Sequence, residues 1–173
     1  MNLLQRLKQI SCFVFDVDGV LTDGSLLVMP DGLMVRKMNI KDGYALQLAI
    51  KMGYRVLIIS GGNSIEVTDR LLKLGVTEVW MQVTDKRALL SDYLTENAID
   101  PNTVAYMGDD IPDFQVMQLV GMPCCPADAA TDIIAISHFI ASKKGGAGCA
   151  RELIEKVMKL NGNWQEDTTI RSQ

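Results

Sequence analysis

The sequence contains one histidine, His138, no C-x-x-C pair and no run of basic residues, and each absence removes a class of function. Its four cysteines, Cys12, Cys124, Cys125 and Cys149, lack metal-type spacing, and two are neighbours, which suits no disulfide framework. They read as free thiols in a reducing compartment, so a cytoplasmic protein is expected. Basic residues are not interleaved with aromatics, and the net charge of −4 argues against nucleic acid as a partner. No apolar stretch approaches the ~20 residues of a membrane span. MNLLQRLKQISC is too short in its apolar part for a secretory leader. Internal repeats and low-complexity tracts are also missing.

What is present is ordinary globular material, 48% apolar and 22% charged over 173 residues, enough for one core. Short apolar runs at Cys12–Phe15, Arg55–Ser60, Glu78–Trp80, Val104–Met107 and Ser137–Ala141 read as strands. Between them, helical patterns cover Gly43–Met52, Ile65–Leu74, Lys86–Asn97 and Phe114–Val120, with a last helix at Gly148–Leu160. This alternation predicts parallel strands with right-handed crossovers: an α/β, three-layer Rossmann-like sandwich around a central parallel sheet. Residues 1–160 are expected to form one domain, and residues 161–173 a flexible polar tail.

Carboxylates are costly to bury without a partner, yet FVFDVDGVLTDG sets Asp16 and Asp18 directly after an apolar strand. In open parallel sheets, ligands bind beyond the carboxyl ends of the strands. Ser60-Gly61-Gly62 follows the second strand, Lys86 opens the third helix, and Gly108-Asp109-Asp110-Ile111-Pro112-Asp113 follows the fourth strand. Alone, each is a common turn or cap. Together they converge on one sheet edge.

In order and spacing these groups resemble the motifs of the haloacid dehalogenase superfamily of aspartate-nucleophile phosphatases. The resemblance implies that Asp16 is the nucleophile and Asp18 the general acid and base, with Ser60 and the Gly61 amide binding phosphate and Lys86 offsetting charge. It also implies a Mg²⁺ ion held by Asp16, the Asp18 backbone carbonyl and Asp109, with Asp110 and Asp113 behind them.

SLLVMPDGLMVRKMNI, from Ser25 to Ile40, breaks the alternation and reads as a hairpin turning at Pro30-Asp31-Gly32. It leaves no room for a separate cap domain. Together with NIKDGYALQLAIKMGYRV, VAYMGDDIPDFQVM and GGAGCARELIEKV, it resembles the 3-deoxy-D-manno-octulosonate 8-phosphate phosphatase family over about Ile10 to Leu160. That resemblance implies a homotetramer whose hairpins close neighbouring active sites and whose glycine-rich segment reaches an adjacent one. It further suggests Asp42, Arg70 and Arg151 as substrate contacts, although Arg151 can also pair with Glu155 at i,i+4. Gly62 and Asn63 depart from relatives that carry Arg after the Ser-Gly pair, so a nine-carbon sugar-acid phosphate stays open as substrate. A non-catalytic binding relative is disfavoured by the intact set. A receiver domain fits poorly, because its phosphorylated aspartate ends the third strand.

Overall fold

A computed structural model describes residues 2–171. Phe13 and Phe15 of strand β1 (Cys12–Phe15) face one hydrophobic cluster, while Cys12 and Val14 face another. A strand turns successive side chains to opposite faces, so four buried residues in a row mark a strand covered on both sides. β1 pairs in parallel with β4 (Arg55–Ile59) and β6 (Val104–Met107). β5 (Glu78–Trp80), β7 (Met122–Cys125) and β8 (Phe139–Ile140) complete a six-stranded sheet in the order β5-β4-β1-β6-β7-β8.

Helices α1 (Leu3–Lys8), α2 (Ile40–Lys51), α3 (Ile65–Lys73) and α7 (Cys149–Leu160) bury Leu7, Leu46, Leu71 and Leu153 on the Phe13 face. Helices α4 (Lys86–Glu96), α5 (Phe114–Met117) and α6 (Thr131–Ile136) bury Leu90, Met117 and Ile133 on the Val14 face. The expected three-layer sandwich is what the chain adopts. Side-chain caps fix where helices begin. Asn39 accepts from the Lys41 amide, Ser64 from Val67 and Asp85 from Ala88. The Asp85 cap places Lys86 at the first residue of α4.

The Ser25–Ile40 segment folds back as β2 (Leu27–Val28) against antiparallel β3 (Met34–Val35), with a bridge from Thr22 to Met38 at its base. β7 falls where the sequence reading placed no strand. Pro123 within an apolar run argues against a central strand, but its carbonyl still accepts from the His138 amide at 2.8 Å. The stretch after α7, expected to be loose, docks on α2 as far as it is described. Trp164 meets the Tyr44 ring edge-on at 6.1 Å, the Asp167 amide donates to the Tyr44 hydroxyl, and the Asp167 carboxylate pairs with Lys51. An aromatic anchor with a polar lock outweighs the polar composition around it. Among the described residues, no helix is long and apolar enough to cross a membrane.

Candidate active site

The ladder of β1 continues one residue past the strand, where the Asp16 amide donates to the Met107 carbonyl at 3.1 Å. The chain then makes a wide turn over Val17–Leu21, closed by the Thr22 amide on the Val17 carbonyl at 3.0 Å. Gly19 stands in this turn at φ +90°, and a Cβ there would lie 1.9 Å from Asp109 Oδ2. Backbone angle and space both demand glycine at this point. Gly108 gives similar clearance to Asp113, whose carboxyl carbon would sit 2.5 Å from an added Cβ.

Asp113 is 1% exposed and fully engaged. Its Oδ1 accepts from Lys86 Nζ and from the Tyr106 hydroxyl, both at 2.7 Å, and its Oδ2 accepts from the Asp109 amide at 3.2 Å. Lys86 Nζ also lies 3.0 Å from Asp16 Oδ1, though Oδ1 receives no hydrogen bond. Ser60 follows β4, its amide on the Trp80 carbonyl at 2.9 Å, and its hydroxyl oxygen accepts from the Gly62 amide at 3.1 Å. A cavity of about 340 Å³ opens among Asp16, Asp18, Ser60, Gly61, Lys86 and Asp109. The four separate sequence groups therefore meet.

Charge within this cavity is out of balance. Oxygens of Asp16, Asp109 and Asp113 all lie within 4.8 Å of one another, facing one ammonium. Burial first, then the charge of Asp113, pushes Asp16 up to about 7 against the pull of Lys86. Asp109 is raised to about 7 by burial and then by Asp16, Asp113 and Asp110. For Lys86, burial disfavours the charge, but Asp16 and Asp113 outweigh it and hold the ammonium above its ordinary value. Crowded carboxylates with a bare oxygen fit a hard divalent cation such as Mg²⁺. With Asp113 occupied by three donors, Asp16 and Asp109 are the side chains left to hold one. Asp110 is exposed at the cavity rim, and its Oδ1 accepts from the Ile111 amide.

The 3-deoxy-D-manno-octulosonate 8-phosphate phosphatase KdsC of Escherichia coli K12 is 33% identical over 165 residues, spanning 95% of this chain and 88% of that protein. The chain belongs to the 3-deoxy-D-manno-octulosonate 8-phosphate phosphatase family, within the haloacid dehalogenase superfamily. The Yersinia pestis phosphatase of this name superposes with a TM-score of 0.90 at 31% identity, covering 93% of this chain and 87% of that one. A Moraxella catarrhalis 3-deoxy-D-manno-octulosonate 8-phosphate phosphatase, crystallised with magnesium ion, phosphate ion and KDO, gives 0.89 at 31% identity, with 92% of each chain covered. No protein-family model matches the chain.

The other residues singled out from the phosphatase-family resemblance do not reach the catalytic cavity in this chain. Asp42 is buried beneath the start of α7 and accepts from the Arg151 amide at 2.8 Å, which ties α2 to the first turn of α7. Its pKa is pushed up to about 6 by burial, partly offset by Arg151. The Arg151 guanidinium bonds Glu155 at 3.2 Å and stacks over Tyr44 and Trp164, facing a separate cavity of about 820 Å³. Arg70 lines a third cavity, of about 290 Å³, between the hairpin and α3.

The sequence reading missed two features of the site. Arg36 of the hairpin forks onto Asp18 through two hydrogen bonds. The glycine-rich segment also serves its own chain: a Cβ on Gly145 would lie 2.0 Å from the Gly19 carbonyl oxygen, and the Gly146 amide donates to the Val20 carbonyl at 2.9 Å. The Arg36-Lys37 pair closing an apolar hairpin was the available signal for Arg36.

Proposed function

We propose that this protein hydrolyses 3-deoxy-D-manno-octulosonate 8-phosphate to the free sugar acid and inorganic phosphate, in lipopolysaccharide synthesis. The observation that carries this reading is the buried Asp16–Lys86–Asp113 chain at the mouth of β1. It holds a carboxylate and a cation together where a phosphate can enter. Asp16 attacks phosphorus in line, the ester P–O bond breaks, and Asp18 gives its proton to the departing alkoxide. Water, losing a proton to the Asp18 carboxylate, then cleaves the aspartyl-phosphate and restores Asp16. Ser60 and the Gly61 amide bind the phosphate oxygens, and Lys86 offsets their charge throughout. Asp16, the Asp18 carbonyl and Asp109 would hold Mg²⁺, with Asp110 and Asp113 behind, and the ion would supply the positive charge that lets two anions approach.

Closure of so open a site falls to a second subunit in this reading. Leu26 to Met29 and Leu33 to Val35 of the hairpin are exposed apolar residues, and contiguous patches of this kind mark association surfaces. Hairpins meeting in a homotetramer would cover them and bring Arg70, or Arg151 from a neighbour, toward the sugar acid. All four cysteines are buried free thiols, in keeping with a cytoplasmic enzyme.

The test is phosphate release from purified protein with Mg²⁺, using the eight-carbon sugar-acid 8-phosphate beside a nine-carbon acylneuraminate 9-phosphate. Preference for the first is expected. Activity on the second alone would reassign the substrate.

A further inference from the structure

Seven apolar side chains around Arg36 are exposed, yet its own side chain is only 5% exposed. The guanidinium is fully directed inward. Nε meets Asp18 Oδ1 at 2.7 Å, Nη2 meets Asp18 Oδ2 at 3.0 Å, and Nη1 donates to the Met34 carbonyl at 3.1 Å. Asp18 raises the Arg36 pKa further, so the group is a permanent cation.

Gly62 explains how the guanidinium fits. Its backbone has no left-handed φ, so a side chain is conformationally allowed there. Space is tight: a Cβ would lie 3.0 Å from Arg36 Nη2 and 2.8 Å from Asp18 Oδ2, so a side chain there has to displace the fork. Residue 62 and Arg36 compete for one volume beside the phosphate loop. In this chain the loop position has no side chain, and Arg36 of the hairpin occupies the volume beside it. Arg36 also borders the 290 Å³ cavity that Arg70 lines, so its cation stands between that cavity and the catalytic one.

We propose that Arg36 is the specificity-determining cation of this enzyme: it rests in a fork on Asp18 and transfers that fork to the carboxylate of an arriving sugar-acid phosphate. The planar guanidinium already holds one carboxylate in two parallel bonds, and the same geometry accepts another. Asp18 must face the leaving oxygen during turnover, so the resting fork has to open. A second anion on the substrate gives the cation somewhere to go. Phosphate esters without one leave it on Asp18. This assignment rests on the sugar-acid reading above.

The experiment measures kcat and KM for 3-deoxy-D-manno-octulosonate 8-phosphate and for its carboxamide, which keeps the shape and removes the charge. Native protein should prefer the carboxylate. In Arg36→Ala the ratio of the two kcat/KM values should fall about 10- to 150-fold, the range for a lost hydrogen bond to a charged group, with the change carried by KM. Arg36→Lys should keep part of the preference, and Arg36→Ala with Gly62→Arg should regain it. Arg36→Gln, which removes the charge but keeps part of the bulk and one NH2 donor, reads the same ratio should the alanine variant fold poorly. An unchanged ratio in both Arg36→Ala and Arg36→Gln overturns the proposal and leaves the sugar-acid assignment intact. A native enzyme indifferent to the carboxylate overturns both.

Discussion

Asp113, 1% exposed, is held by three donors from β6, α4 and its own loop, whereas Val28, 65% exposed, belongs to a strand of two residues paired with another of two. Asp113 lines the 340 Å³ cavity, and the hairpin lines the 290 Å³ cavity through Leu33, Met34 and Val35. The rim is fixed within the single chain, since Asp113, which holds Lys86, is itself held by Tyr106 and the Asp109 amide. Isolated two-stranded hairpins are marginal in water, and this one is fixed at its base by the Thr22–Met38 bridge and inwardly by Arg36 on Asp18. The difference teaches a division of labour. In the proposed reading, chemistry sits where one subunit suffices, and selection of substrate sits on a hairpin that a second subunit would complete.

Four changes would break or sharpen that contrast. Asp16→Asn should reduce phosphate release on the order of 10⁴-fold or more at any protein concentration, since a positioned nucleophile has no substitute. Its fold should persist in thermal melts. Lys86→Ala should cost roughly 10²- to 10³-fold in kcat. It should also destabilise the protein by about 3–5 kcal/mol in denaturant titrations, because Asp113 and Asp16 lose a buried partner. A rim variant whose defect vanished on concentrating the protein would contradict the contrast.

Metal dependence gives a third, smaller effect. Burial and neighbouring carboxylates push Asp16 and Asp109 up to about 7 in the folded chain, above the ordinary aspartate value of 3.8. The metal-free fold therefore binds more protons than the unfolded chain between those values and loses stability as pH rises through about 7. Mg²⁺ needs both carboxylates ionised. The rise in melting temperature on adding Mg²⁺ should accordingly be larger near pH 8 than near pH 5.5. Equal rises would remove these two residues from the cation site. The smallest change is expected for Val28→Asp, which should lower the mass measured by light scattering and weaken activity only a few-fold, most visibly in dilute solution. An unaltered mass would place the subunit contact elsewhere.

The rim was nearly all legible in the sequence because its parts are local. Asp16, Ser60 and Asp109 follow apolar strands by one or two residues, Lys86 opens a capped helix, and β1, β5 and β6 end where their patterns end. What escaped depended on contact between distant segments. β7 was hidden by Pro123, whose lost donor matters less than its retained acceptor. Asp42 and Arg151 appear in promising segments, yet side-chain direction sends one under α7 and the other onto Tyr44 and Trp164. Arg36 was concealed because a two-residue strand carries too little periodicity to show which way its neighbour points.

Gly145 and Gly146 press against the turn that carries Asp18 and Gly19, so the first catalytic motif to leave the ribosome is braced by one of the last. A nascent chain that has displayed Asp16 for most of its synthesis still lacks the buttress behind it. Turnover should therefore switch on late in translation, when the C-terminal glycines arrive, and truncations ending ahead of Gly145 should bear the nucleophile in a turn with nothing at its back.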